Sequence, residues 1–177
     1  RKTRELRRRC CRRRKMFIRD RAEIFDRCDS KTFRFWLDMK WLNQPGLSTD
    51  RISEGATNLQ TLIEKHQLKD RIFVEASNPT VLAGFCEQCP AAHGVLWLPD
   101  WERMPTPIRA EIRRTLVTTE IRIVSRPIES IQAKATDTFA HLTRFYYTAK
   151  SDGDIAAAKN AGASVILVSG QAAEIPR

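Results

Sequence analysis

The sequence predicts an α/β fold built of repeated strand–helix units. Six short apolar runs begin near residues 33, 71, 94, 120, 143 and 164. The intervals between them are too long for β-hairpins and fit right-handed crossovers between parallel strands. Most runs are apolar without alternation, as is typical of parallel strands buried on both faces. Two architectures satisfy this pattern: a doubly wound open sheet, and a segment of an eight-stranded βα barrel, which when complete needs roughly 250 residues.

The first repeats are predicted from local signals. Residues 22–28 suit the last turns of a short helix, and the strand at 33–40 follows them. Residues at helical spacing over 59–66 predict an amphipathic helix, which begins near Ser53. The apolar run at 71–77 predicts the second strand.

The later repeats show clearer helix boundaries. Asn78 followed by Pro79 is a strong helix start, because the amide side chain caps free N–H groups and proline suits the first helical position. Further helices are expected from Thr106 and from Asp152, the second ending at Gly162. The remaining strands are predicted at 94–99, 121–125, 144–148 and 164–170.

The positive charge of the chain lies almost entirely in residues 1–21. The whole chain carries a net charge of +10. Residues 1–21 hold twelve of the 31 Lys and Arg and two of the 21 Asp and Glu, so the other residues carry 19 of each and are neutral. We therefore predict two parts, a basic leader at 1–21 and a folded domain at 22–177. The leader is interpreted as a non-native start, a polyanion-binding tail or a targeting segment, in that order of preference.

A functional site is predicted at the end of the first strand. Phe33–Lys40 is an apolar run that ends in Asp38 and Lys40, which share one face because they are two residues apart. At the mouth of a barrel, this places a metal-binding carboxylate beside a phosphate-binding cation. From the spacing alone, the preferred interpretation is an acid and a base that are solvated or that pair across the barrel, without a function.

Several segments together resemble the glycerophosphodiester phosphodiesterase family. Phe33–Lys40 looks like that family's fourth strand, with its acid-x-lysine triplet. Residues 72–79 and 93–98 resemble the next two strands, and 144–170 resembles the aromatic-Thr strand, the following turn and helix, and the last strand. The resemblance covers about residues 30–170 and implies a partial TIM (β/α) barrel, about strands 4 to 8.

The resemblance implies phosphodiester hydrolysis assisted by a divalent cation. In the intact family, a small lipid-derived phosphodiester is cleaved with acid–base histidines and Ca²⁺ or Mg²⁺, cations that prefer oxygen ligands. Carried onto this chain, Asp38 is a metal ligand, Lys40 contacts the substrate phosphate, and Ser77 and Tyr147 lie at the pocket rim. Tight cation binding is not expected in this chain.

The chain departs from the family pattern in the strands that carry the family's catalytic residues. The His-Arg, paired-acid and His-Asp strands of the family do not occur before Phe33, and Asp38 stands where the family usually has Glu. His66, His93 and His141 are the only histidines, and each is predicted to be structural or superficial. We therefore assign no catalytic residue and expect this chain to be inactive. The alternative is a non-catalytic α/β interaction module with a basic polyanion-binding arm.

Other patterns favour ordinary structural roles. Cys86 and Cys89 have redox-pair spacing, but they lie near a helix end, where the dipole does not stabilise thiolate. The four tryptophans are predicted to pack in the core and at its rim.

No apolar run is long enough to span a membrane. A cytoplasmic location is favoured, although a lost signal peptide is compatible with the sequence. The open edges of a partial barrel predict self-association.

Overall fold

The computed structural model describes Phe25 and residues 33–99, 101–131 and 139–168. The chain divides into two compact units, Arg1–Phe33 and Arg34–Arg177. The predicted helix at 22–28 lies outside the described residues apart from Phe25, which is helical and buried. The predicted boundary between residues 21 and 22 also lies outside them and stays a prediction.

The described residues of the second unit form six strands and four α-helices in alternation. The strands are β1 (Phe35–Asp38), β2 (Ile72–Ala76), β3 (Ala92–Trp97), β4 (Ile123–Pro127), β5 (Thr143–Ala149) and β6 (Val165–Val168). The helices are α1 (Thr49–Lys65), α2 (Pro79–Gln88), α3 (Thr106–Thr118) and α4 (Asp152–Asn160). No helix among these residues is long and apolar enough to cross a membrane.

The strand order decides between the two predicted architectures. All neighbouring strands are parallel, and their order in the sheet is β1-β2-β3-β4-β5-β6. A doubly wound sheet reverses its order at a switch point, whereas a βα barrel adds each strand beside the last. The chain therefore forms part of a βα barrel, as the sequence predicted.

The sheet is strongly curled. Trp36 on β1 packs edge-on against Phe145 on β5, with ring centroids 5.1 Å apart. In a flat sheet, strands four positions apart would be separated by about 19 Å. The inner face of the curl holds a cluster of Trp36, Phe73, Val95, Ile123, Phe145 and Val165.

Several boundaries differ from the sequence prediction by two or more residues, and the cause of three differences is visible in the structure. Helix α1 begins at Thr49 rather than near Ser53, because the Ser48 hydroxyl accepts the Arg51 N–H and so caps an earlier turn. Helix α4 is capped by Ser151 rather than Asp152, in a reciprocal capping box with Asp154. Strand β4 lies two residues later than predicted, because its pairing with β5 continues to Pro127.

Candidate functional site

The carboxyl ends of the strands surround a cavity of about 290 Å³. Its walls carry two carboxylates, one ammonium and three large aromatic side chains. The lining residues are Trp36, Asp38, Lys40, Asn43, Glu75, Ala76, Trp97, Tyr147, Thr148 and Leu167. In barrels of this kind, the carboxyl ends of the strands are where ligands bind.

Asp38 and Lys40 lie together at the mouth of this cavity. Asp38 is the last residue of β1, and Lys40 opens the short 3₁₀ turn Lys40–Asn43 that follows. The Lys40 Nζ lies 2.5 Å from the Asp38 Oδ2, and 82% of the lysine side chain is exposed. The two side chains are therefore neighbours, but through the turn after β1 rather than on one face of a longer strand, and the roles of both stay predictions. An exposed ion pair of this kind contributes little to stability.

Glu75 is the buried acid of the site, and sequence analysis did not identify it. It lies on β2 directly opposite Asp38 in the strand register, and only 9% of it is exposed. The Ser125 hydroxyl donates a short hydrogen bond to its Oε1 from β4, two strands away. No ion pair joins Glu75 to a base within the part of the chain that the structure describes.

The surroundings of Glu75 raise the pKa of its carboxyl group to about 7. Burial is the main cause, because the charged form loses its hydration. The neighbouring Asp38 raises the pKa further, whereas Ser125 and Lys40 lower it. The buried Trp36 Nε1–H is also close enough to lower this pKa, although it makes no hydrogen bond of ordinary geometry. At neutral pH the Glu75 carboxyl is therefore divided between its neutral and charged forms.

Trp97 on β3 and Tyr147 on β5 also line the cavity. The Trp97 Nε1–H donates a hydrogen bond of 2.7 Å to the Tyr147 hydroxyl, linking β3 to β5. Burial raises the pKa of Tyr147 to about 12, so this hydroxyl stays protonated. An irregularity in the pairing of β5 with β6 follows Tyr146, and Thr148 within it has a φ of 66°. This bulge explains how the consecutive residues Tyr147 and Thr148 both reach the cavity.

The structure places the two predicted rim residues differently. Tyr147 lines the cavity. Ser77 lies just beyond the end of β2, where its backbone N–H donates a 2.7 Å hydrogen bond to the Asn43 Oδ1. Ser77 is not among the lining residues, and its contact instead ties the loop after β1 to the loop after β2.

The histidines lie away from the mouth. His93 is on the amino-terminal side of β3, where it stacks on Phe73 and lies 3.7 Å from the Asp70 carboxylate. His66 ends α1, and His141 lies in the turn before β5. None of the three lines the cavity.

The described residues do not complete a site for a divalent cation. Among them, no three His, Cys, Asp or Glu side chains are grouped closely enough to hold a metal ion. Ca²⁺ takes six to eight oxygen ligands, whereas this mouth offers two carboxylates, one of them paired with Lys40. The residues present therefore do not fit the implied cation by themselves.

The two spaced cysteines are poor redox candidates. Burial raises the pKa of Cys86 to about 12 and that of Cys89 to about 11. Thiols held in the neutral form are weak nucleophiles. The structural interpretation made from the sequence is supported.

Comparisons with solved structures show which known proteins share this fold. A protein assigned as a glycerophosphoryl diester phosphodiesterase from Silicibacter pomeroyi DSS-3 is 12% identical with a TM-score of 0.62, over 83% of this chain and 52% of that one. A glycerophosphodiester phosphodiesterase from Parabacteroides distasonis is also 12% identical, with a TM-score of 0.58 over 83% of this chain and 58% of that one. This chain has the fold of part of a glycerophosphodiester phosphodiesterase. It spans little more than half the length of these relatives.

The same fold also occurs in a protein of a different kind. A glycerol uptake operon antiterminator regulatory protein from Listeria monocytogenes is 10% identical with a TM-score of 0.50, over 88% of this chain and 89% of that one. No protein-family model matches the chain, and no curated protein sequence matches it. At these identities the likeness establishes the fold, and activity has to be argued from the site.

Proposed function

We propose that the mouth of the barrel segment binds the phosphate of a phosphodiester, with Lys40 contacting the phosphate oxygens. The observation that carries this proposal is the exposed Lys40 ammonium at the entrance of the 290 Å³ cavity. An ammonium on a flexible stem is a common phosphate ligand. The solved relatives named as glycerophosphodiester phosphodiesterases support a glycerophosphodiester as the substrate class.

We propose that this chain binds a phosphodiester but does not hydrolyse it by itself. General acid–base catalysis requires a side chain within hydrogen-bond reach of the reacting oxygen. The three histidines lie away from the cavity, and Asp38 is already engaged with Lys40. Glu75 is the remaining acid–base group, but among the described residues no group of ligands accompanies it that could hold a metal ion and orient a phosphodiester. The proposed activity is therefore that of a phosphodiester hydrolase-like domain which binds its substrate class but does not cleave it by itself.

A divalent cation is proposed only as a weak ligand. Asp38 is the residue expected to contact Ca²⁺ or Mg²⁺, and Glu75 is the second carboxylate within the same mouth. Cation binding would have to displace the Lys40 ammonium from Asp38. We expect little change in the thermal midpoint of unfolding when either cation is added, because a ligand stabilises only as far as it binds.

A hydrolysis assay tests the catalytic part of the proposal. The chain would be incubated with a glycerophosphodiester and Ca²⁺ or Mg²⁺, and release of glycerol phosphate would be followed by ³¹P NMR. We expect no release above the level of a heat-unfolded sample. Metal-dependent turnover that disappears in Asp38→Ala, but persists in the exposed control variant Asp50→Ala, would overturn this part.

The alternative function rests on the basic segment. Residues 1–21 carry twelve Lys and Arg, and a regulatory protein shares the fold. If this segment binds nucleic acid, the affinity for duplex DNA will fall steeply as salt rises, because phosphate contacts release counterions. An affinity that is absent, or insensitive to salt, would remove this alternative.

A further inference from the structure

The turn that carries Lys40 is attached to the rest of the domain by apolar packing. Met39 and Leu42 are buried. Trp41, which lies between Lys40 and Leu42 in the chain, packs edge-on against Phe85 of α2, with ring centroids 6.1 Å apart. This packing fixes the apolar residues of the turn, while the polar end of the turn needs an attachment of its own.

The parallel ladder between β1 and β2 changes at this turn. One rung joins the Met39 N–H to the Glu75 carbonyl at 3.0 Å. Because the hydrogen bonds of a parallel ladder are evenly spaced, the next rung in this register would join the Ser77 N–H to the Met39 carbonyl. The Met39 carbonyl instead accepts the Leu42 N–H at 2.9 Å, which closes the 3₁₀ turn. The Ser77 N–H therefore needs another acceptor.

The Asn43 side chain takes the place of that rung. Its Oδ1 accepts the Ser77 N–H at 2.7 Å, within the usual range for a hydrogen bond of this kind. Asn43 is the last residue of the turn, so this bond attaches the polar end of the turn to the loop after β2. Without it, the Ser77 N–H could pair with the Met39 carbonyl and extend the ladder. An extended strand would carry Lys40 further along the strand axis, away from the cavity.

We propose that Asn43 is a positioning residue for the phosphate contact of Lys40. By accepting the Ser77 N–H, it keeps residues 40–43 in the 3₁₀ turn and holds the Lys40 ammonium beside the cavity that both side chains line. The phosphate contact rests on the proposed function, whereas the hold on the turn rests on the hydrogen bonds alone. Asn43 acts through Lys40 and is not required to touch the ligand.

A scalar coupling across the hydrogen bond tests the hold on the turn in the wild-type chain. In a long-range ¹H–¹⁵N–¹³C spectrum of the full chain, the Ser77 ¹⁵N nucleus should couple to the side-chain carbonyl carbon of Asn43. A coupling to the backbone carbonyl carbon of Met39 would show that the ladder continues, and it would overturn the proposal.

Asn43→Ala tests whether the hold on the turn matters for binding. The ligand is dimethyl phosphate, and its affinity is read from the four tryptophan indole N–H signals in a ¹H–¹⁵N spectrum. Trp36 and Trp97 line the cavity, whereas Trp101 does not and serves as an internal reference. We expect Asn43→Ala to weaken binding by about three- to tenfold, the range that corresponds to one hydrogen bond. Hydrogen exchange of the Ser77 N–H should become faster in the same variant.

Two further variants separate the hydrogen bond from general effects of substitution. Asn43→Asp keeps a side-chain acceptor, so the Ser77 N–H should exchange as slowly as in the wild type. Ser77→Ala keeps the backbone N–H that donates the bond, so exchange and dimethyl phosphate affinity should both stay within about twofold of the wild type. If Asn43 only stabilised the fold, Asn43→Ala would lower the free energy of unfolding without changing the affinity of the folded chain.

The outcomes separate this proposal from the proposed function. Faster Ser77 exchange and weaker binding in Asn43→Ala, with slow exchange restored in Asn43→Asp, support the positioning role. Equal affinity in the wild type and Asn43→Ala overturns the positioning role and leaves the proposed function standing. A wild-type chain that binds no dimethyl phosphate overturns the proposed function, and the positioning role falls with it. The wild-type coupling decides the hold on the turn even if Asn43→Ala does not fold.

Discussion

Glu75 is the side chain that most clearly distinguishes this mouth from an ordinary solvated strand end. It is buried, it accepts a hydrogen bond from Ser125 two strands away, and it lies beside Asp38. The raised pKa of about 7 follows mainly from burial, and the neighbouring Asp38 carboxylate adds to it. Such perturbed carboxyl groups concentrate at functional sites, although structural networks also produce them.

The same carboxyl group should make stability fall as pH rises. The Glu75 pKa is about 7 in the folded chain against 4.5 for the unperturbed group. The native state therefore holds this proton more firmly, and its contribution to the free energy of unfolding is full below pH 4.5 and is lost as pH rises through 7. The loss amounts to at most about 3 kcal/mol.

Glu75→Gln tests this linkage, because glutamine keeps the hydrogen-bond acceptor and cannot ionise. Urea unfolding would be measured for the wild type, for Glu75→Gln and for the exposed control Glu111→Gln between pH 5 and pH 8. The stability of Glu75→Gln relative to the wild type should increase across this range, whereas Glu111→Gln should follow the wild type. Parallel curves for all three proteins would contradict the account.

What the sequence could predict about the site was limited to strand ends. Asp38 and Lys40 end one apolar run and Tyr147 lies near the end of another, so their positions at the mouth could be expected. Glu75 lies inside an apolar run, and its contact with Ser125 joins strands 50 residues apart. No local pattern encodes that contact, because it depends on how tightly the sheet curls.

At the scale of elements, the helix–sheet contact behind the mouth depends on a glycine. Gly94 lies on the outer face of β3, and a Cβ at this position would meet the Cys86 Sγ at 2.9 Å and Leu82 at 3.5 Å. Both partners belong to α2, which covers this part of the sheet. A larger residue here would push α2 away from the sheet.

Gly94→Ala should therefore lower the free energy of unfolding by about 1–3 kcal/mol through overpacking. Gly84→Ala is the matched control, because a Cβ at this position in α2 meets nothing within 4 Å. Alanine is the better helix former there, so Gly84→Ala should be stabilising by up to about 1 kcal/mol. Chemical denaturation measures the free energy of unfolding of both variants. A Gly94→Ala variant as stable as Gly84→Ala would contradict the close contact between Gly94 and α2.

The existence and type of the elements followed from the sequence more reliably than their ends. Parallel strands buried on both faces leave continuous apolar runs, so all six strands were predicted. The start of α1 was wrong, because Ser48 competes successfully with Ser53 as the cap. The end of β4 was also wrong, because it is fixed by pairing with β5 rather than by local apolar character.

At the scale of the whole molecule, the described sheet has two unpaired edges. β1 pairs with β2 alone and β6 with β5 alone among the described strands. Exposed strand edges promote association through their free N–H and C=O groups. We therefore expect the isolated chain to self-associate as its concentration rises, as followed by sedimentation velocity.

A charge on the edge strand should reduce this association. Leu167 on β6 is 51% exposed, and Leu167→Lys places a positive charge on that strand. Val117→Lys is the matched control, because Val117 is an exposed apolar residue on α3. A single monomeric species at all concentrations, or equal effects of the two variants, would contradict association through this edge.

The central claim is that the carboxyl-end mouth of this barrel segment binds a phosphodiester through Lys40. The most direct measurement is a titration of the chain with dimethyl phosphate, followed through the four indole N–H signals, for the wild type and for Lys40→Gln. The account predicts shifts of Trp36 and Trp97 alone, lost in Lys40→Gln. Shifts confined to Trp41 or Trp101, or shifts that persist unchanged in Lys40→Gln, would contradict it.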